Sequence, residues 1–188
     1  MKLPRSMVVV ALLVVSVFAR ADGDLIVEVT RGLDNPTRVA VVPFSWDGEY
    51  AMPVDVAQVV SDDLVRTGEF STISRNNMLS FPAFSHEVVM GDWRLVRAQY
   101  LVIGSMTTNG ATVNLEFSLY DVVRGRVVLT ERVSRTRTEL RDMGHQVANV
   151  VYEALTGFDG IFRTKIAYIR AERDGLGEFV YRLMEGEC

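Results

Sequence analysis

The chain has 188 residues, 48% of them hydrophobic, a single cysteine and a formal net charge of −4. That length and apolar content suit one ordinary folded core and exclude a disordered chain, while a lone Cys188 excludes an intrachain disulfide. The acidic balance gives no bulk attraction for nucleic acid or anionic lipid, both of which need clustered positive charge.

Lys2 and Arg5 precede an apolar run from Met7 to Phe18, which Ala19-Arg20-Ala21 closes with an A-x-A cleavage pattern. This is the form of a secretory signal peptide, residues 1–21, and the run is shorter than the ~20 apolar residues a spanning helix needs. The mature chain is then expected to begin at Asp22, soluble and exported and without direct membrane insertion. Cleavage removes three positive charges (Lys2, Arg5 and Arg20) and no acid, moving the formal charge from −4 to −7.

Asp24 to Thr30 alternates, with Leu25, Val27 and Val29 on one side and Ile26, Glu28 and Thr30 on the other, a strand pattern. Gly32, Asn35 and Pro36 interrupt it. The run RVAVVPF, Arg38 to Phe44, is continuously apolar and predicts a strand covered on both faces. Trp46-Asp47-Gly48 turns the chain. Val56, Val59, Val60 and Leu64 recur at helical spacing before Gly68, a C-terminal cap. Phe70 to Ile73 is a short strand, Asn76 to Met90 is irregular, and Asp92 predicts the N-cap of a short helix through Val96.

Tyr100 to Met106 is a further apolar strand. Asn109-Gly110 is a strong hairpin signal, and Arg124-Gly125 a second turn, so the strands around 113–119 and 127–133 complete an antiparallel meander. Leu140, Met143, Val147, Val150, Val151 and Ala154 mark a helix that Gly157 ends. Ile166 to Ile169 and Phe179 to Leu183 then read as two strands joined at Asp174-Gly175. Crossovers mixed with hairpins predict a two-layer α/β domain with a mixed β-sheet and helices packed on it.

Few residues point to chemistry. His86-Glu87 lacks the second histidine of a zinc-protease motif, and two histidines with one terminal cysteine make a poor structural zinc set. No cofactor or metal is implied. Asp62 and Asp63 are adjacent on a helix and point in different directions, which suits a solvated face, and His145 falls opposite the apolar stripe of its helix or at its margin. Arg132, Arg135, Arg137 and Arg141 suit a solvated face better than a binding patch. With no nucleophile–base pair visible, the reading is a binding or assembly protein and not an enzyme.

HQVANVVYEALTGFDGIFRTKIAYI is similar to the segment that closes the amino-terminal domain of the TolB family of the Tol–Pal system. RVAVVPFSW, DDLVRTGEFSTISRNNM, WRLVRAQYLVIGSM and VNLEFSLYDVVRGRVVL resemble the family's earlier elements in the same order. The resemblance implies an α/β domain (34–165) followed by a six-bladed β-propeller. IAYIRAERDGLGEFVYRLMEGEC looks like the propeller's first strands (166–188), with no further blade after it. A fragment, a truncated gene or a frameshift would each give that ending.

The resemblance further implies that the first residues after cleavage, 22–33, bind the carboxy-terminal domain of TolA. The matching positions are Asp22, Leu25, Ile26, Val27, Glu28, Val29 and Thr30. Pal, which the family binds through its propeller, is not an expected partner. The implied role is a periplasmic adaptor for outer-membrane integrity and envelope constriction in cell division. An exported outer-membrane secretion or assembly factor sharing the VAVVPF strand is the alternative.

Overall fold

The structure, a computed structural model, describes residues 35–173, 175 and 179–187. The alternating segment Asp24 to Thr30 and the signal peptide lie outside those residues.

Strand β1 (Thr37–Val41) forms where the run RVAVVPF predicts it. The short β2 (Ser45–Trp46) continues the chain, and helix α1 (Val56–Arg66) follows. Asp55 caps α1: its carboxylate accepts the Gln58 amide at 3.0 Å and pairs with Arg75 at 2.6 Å. β3 (Phe70–Thr72) is followed by an irregular segment and then α2 (Met90–Leu95). The N-cap of α2 is Val89, not Asp92. Asp92 sits inside the first turn, where its charge complements the helix dipole without capping. β4 (Tyr100–Asn109), β5 (Thr112–Asp121) and β6 (Arg126–Thr136) form the meander, with Gly110 and Gly125 in the left-handed conformation their turns require. α3 (Leu140–Thr156) ends at Gly157, φ 79°.

The main sheet runs β3-β1-β4-β5-β6, with β2 beside the far half of β4. β1 is parallel to β3 and β4, whereas β4, β5 and β6 are antiparallel, so the sheet is mixed. Its first face carries Val39, Val41, Val102, Met106, Leu115 and Phe117, which bury against Val56, Val60 and Leu64 of α1 and Met143, Val147 and Val151 of α3. Ala40, Val42, Leu101 and Ile103 point to the second face, where Ile73, Met78, Trp93 and Ala98 cover them. The helical layer thus lies on one face, and the segment around α2 covers part of the other.

The two helices approach closely because α3 carries Gly144. A Cβ there would meet Val59 Cβ at 2.7 Å. At the end of α2, Arg97 adopts φ 58°, and the Arg38 guanidinium donates to the carbonyls of Val96 and Arg97. Those carbonyls have no partner within their own helix, so the contact ties the α2 terminus to β1.

β7 (Lys165–Arg173) and β8 (Phe179–Glu187) form a separate two-stranded sheet. Ile169 faces Leu183 and Ala171 faces Tyr181 across it, and Ile169, Phe179, Tyr181 and Leu183 are exposed, Leu183 to 78%. Leading into the hairpin, Phe162 is buried and Asn149 accepts its amide at 2.9 Å. Arg163 and Arg135 both donate to Asp142 at 2.8 Å. Burial pushes the Asp142 carboxyl upward, but these two guanidinium groups outweigh it and hold it below its ordinary value.

Asp55 supplies a testable pH dependence. The hydrogen bond from Arg75 lowers its pKa from 3.8, burial opposing and the Gln58 amide assisting. A carboxyl depressed in the folded state stabilises above its unfolded value, and that contribution disappears as pH falls through the folded value. Replacing Asp55 with Ala is expected to cost about 1 kcal/mol in urea unfolding at neutral pH. The gap between variant and parent should close as pH drops below 3.8.

Candidate functional site

The positions expected to meet a partner, Asp22, Leu25, Ile26, Val27, Glu28, Val29 and Thr30, lie outside the described residues, as do Ala19 and Ala21. Two other features carry polar chemistry.

The first joins the two long helices. His145 Nδ1 of α3 lies 2.6 Å from Asp63 Oδ2 of α1, and the pair is almost fully enclosed, His145 at 5% and Asp63 at 1% exposure. Arg66 reaches the other Asp63 oxygen at 3.4 Å from the half-exposed end of the helix. Asp63 is therefore not on a solvated face, and His145 is not at the helix surface. Asp63 follows Val59 by four residues and Val60 by three, which places it on the apolar stripe. Asp62, one position earlier, is exposed and accepts a hydrogen bond from Gln58 at 2.7 Å. His145 follows Arg141, outside the stripe as drawn from Leu140, Met143 and Val147, yet the close approach at Gly144 encloses it as well.

The second feature is a groove of about 620 Å³ on the part of the second sheet face that the α2 segment leaves open. Its floor comprises outward side chains of β4, β5 and β6, among them Ser105, Asn114, Glu116, Ser118, Arg132 and Ser134. Arg132 donates to Glu116 through Nε at 2.7 Å and pairs again at 2.6 Å, Ser134 donates to Asn114 at 2.7 Å, and Ser118 and Thr130 share a hydrogen bond at 2.8 Å. Ala83 to His86 form the wall. Glu87 holds this turn by accepting the amides of Ala83 at 2.8 Å and Phe84 at 3.1 Å, and those two amides keep its carboxyl below the ordinary value. Phe84 is half exposed and stacks on His86, ring centres 5.8 Å apart. Sequence reasoning read this stretch as irregular and missed the groove; Pro82 followed by two aromatic rings was the available signal.

The arginines of β6 and its sequel are engaged. Arg132 meets Glu116, Arg135 meets Asp142, and Arg137 lies over the Tyr50 ring at 5.9 Å. Arg132 and Arg137 are exposed, but Arg135 is only 23% exposed, held by Asp142 and Gln146 of α3, so the expected solvated face does not extend to it. Trp93 is core, and Trp46 is half buried, donating to the Tyr50 carbonyl at 2.7 Å.

The family model described as the TolB amino-terminal domain matches residues 25–128. The chain belongs to the TolB family. It is 39% identical over 183 residues to the Tol-Pal system protein TolB of Pseudomonas fluorescens, covering 97% of this chain and 42% of that one. Against the TolB of Pseudomonas syringae pv. syringae it is 38% identical over 159 residues, covering 85% of this chain and 37% of the other. The crystal structure of TolB from Acinetobacter baumannii superposes with a TM-score of 0.66 at 26% identity, covering 84% of this chain and 38% of that one. The mixed α/β fold is thus that of TolB, and the chain spans about two fifths of the length of these relatives. Among the described residues no helix is long and apolar enough to cross a membrane.

The Asp63–His145 pair is expected to be structural. Replacing His145 alone with Leu leaves a buried carboxylate without its partner and should cost about 3 kcal/mol or more. Replacing both with Leu should cost less than either single change, because neither polar group is then stranded. Urea denaturation of the two single variants and the double variant checks this ordering.

Proposed function

We propose that this TolB-family chain is a periplasmic adaptor without catalytic activity, and that it binds the carboxy-terminal domain of TolA through residues 22–33. The observation that carries this reading is the family match, which begins at residue 25, inside the proposed binding segment, and continues through the meander. The alternation of Leu25, Val27 and Val29 with Ile26, Glu28 and Thr30 supports docking by strand addition, with backbone hydrogen bonds giving affinity and alternate side chains giving specificity.

The engagement of both histidines favours binding over catalysis: His145 is enclosed with Asp63, and His86 stacks on Phe84. The resemblance assigns Pal to the family's propeller, and the described strands form one mixed sheet and one hairpin, so no Pal site is proposed on the described residues. In the cell the adaptor serves outer-membrane integrity and envelope constriction during division, after export by the leader 1–21.

Calorimetric titration of the periplasmic protein with TolA's carboxy-terminal domain tests the proposal. Binding should vanish when residues 22–33 are deleted and should weaken about tenfold or more with Pro at Ile26 or Glu28, each of which removes a backbone donor. Equal affinity with and without residues 22–33 would remove the proposed site.

A further inference from the structure

The walled groove over β4, β5 and β6 has a composition that a solvated sheet face does not require. Its floor is neutral overall, because Glu116 and Arg132 satisfy one another through two contacts of 2.7 and 2.6 Å. Around that pair stand Ser105, Ser118, Ser134 and Asn114; Ser118 shares a hydrogen bond with Thr130 and Ser134 donates to the Asn114 oxygen, so the Ser105 hydroxyl and the Asn114 amide nitrogen are the groups still able to donate. Its wall presents the half-exposed Phe84, fixed by its stack on His86 and by the Glu87 carboxylate beneath its amide.

These features discriminate among ligand classes. An anion would need the Arg132 guanidinium, which Glu116 already holds. A metal ion would need a carboxylate or imidazole cluster, and the described residues contain none of three or more such groups. A peptide adding as a strand would need a free backbone edge; β4 and β5 are paired on both sides, and the open edge of β6 carries Arg126, Glu131, Arg132 and Arg135, charges that discourage strand addition. What remains is an uncharged ligand read by side chains, with an apolar face for Phe84 and hydroxyls around its rim. The volume, about 620 Å³, is that of an ordinary small-ligand site. We propose that this groove binds an uncharged saccharide chain, whose C–H faces stack on Phe84 and whose hydroxyls exchange hydrogen bonds with the floor.

The test is an amide NMR titration of the full chain with two neutral probes, the N-acetylglucosamine tetramer and maltotetraose, and with a heparin oligosaccharide as polyanionic control. At least one neutral probe should shift amides around 83–86, 114–118 and 130–134, with a Kd below about 1 mM. Phe84→Ala should weaken that binding about tenfold, and Phe84→Trp should retain it. The Glu116→Ala/Arg132→Ala double variant, which strands no charge, should weaken it as well. Amide spectra unchanged outside the groove show that the variants fold. No shift from either neutral probe at about 10 mM, shifts confined to other surfaces, preference for the polyanion, or unaltered affinity in Phe84→Ala would each overturn the proposal.

Discussion

Strand β4 is the member on which the other elements depend. It pairs with β1 and β2 along one edge and with β5 along the whole of the other, and its side chains feed both cores. Val102 and Met106 meet the α1 and α3 side, while Leu101 and Ile103 meet the α2 side. Gly104 between them has no room for a side chain: a Cβ would lie 2.9 Å from both Leu115 and Phe44. A strand buried on both faces must be apolar at nearly every position, which is why YLVIGSM carries no alternation. The parallel pairing with β1 requires a crossover connection, and α1 and the segment through α2 supply the crossovers that lie on opposite faces.

The same arrangement decides where polar chemistry can occur. On the helical side, close approach at Gly144 encloses Asp63 and His145, which meet through Oδ2 and Nδ1 while Arg66 faces the other Asp63 oxygen. On the other side, the α2 segment stops short of the far ends of β4, β5 and β6, leaving hydroxyls, an amide and one self-satisfied ion pair facing outward beneath Phe84. The long edge strand β6 carries Arg126, Glu131, Arg132 and Arg135, charges that discourage pairing with another chain along that edge. On the β7–β8 hairpin, Ile169, Tyr181 and Leu183 stay exposed on one face, with Arg173 over the Phe179 ring at its end.

Local signals made the scaffold legible in the sequence. The unbroken run RVAVVPF, the Asn109-Gly110 turn, the alternation of Val113, Leu115, Phe117 and Leu119, and Gly157 beyond the last helix each report on neighbours a few residues away. β2 escaped notice because two residues carry no periodicity. The Asp63–His145 pair escaped because its partners are 82 residues apart and each looks ordinary on its own helix. The groove escaped because its wall is held by one carboxylate on two backbone amides, a contact without hydrophobic pattern. The proposed TolA-binding segment was readable only through family resemblance, since alternation in Leu25 to Thr30 describes a strand and not its partner.

Native-state hydrogen exchange across the described residues tests the account most directly. If β4 organises both cores and the hairpin stands apart, the amides of β4 and of the adjoining β1 and β5 exchange only through global unfolding. The β7–β8 amides should then exchange at a distinctly lower opening free energy, insensitive to variants that destabilise the Asp63–His145 contact. Protection of the hairpin equal to that of β4, rising and falling with it, would contradict the account.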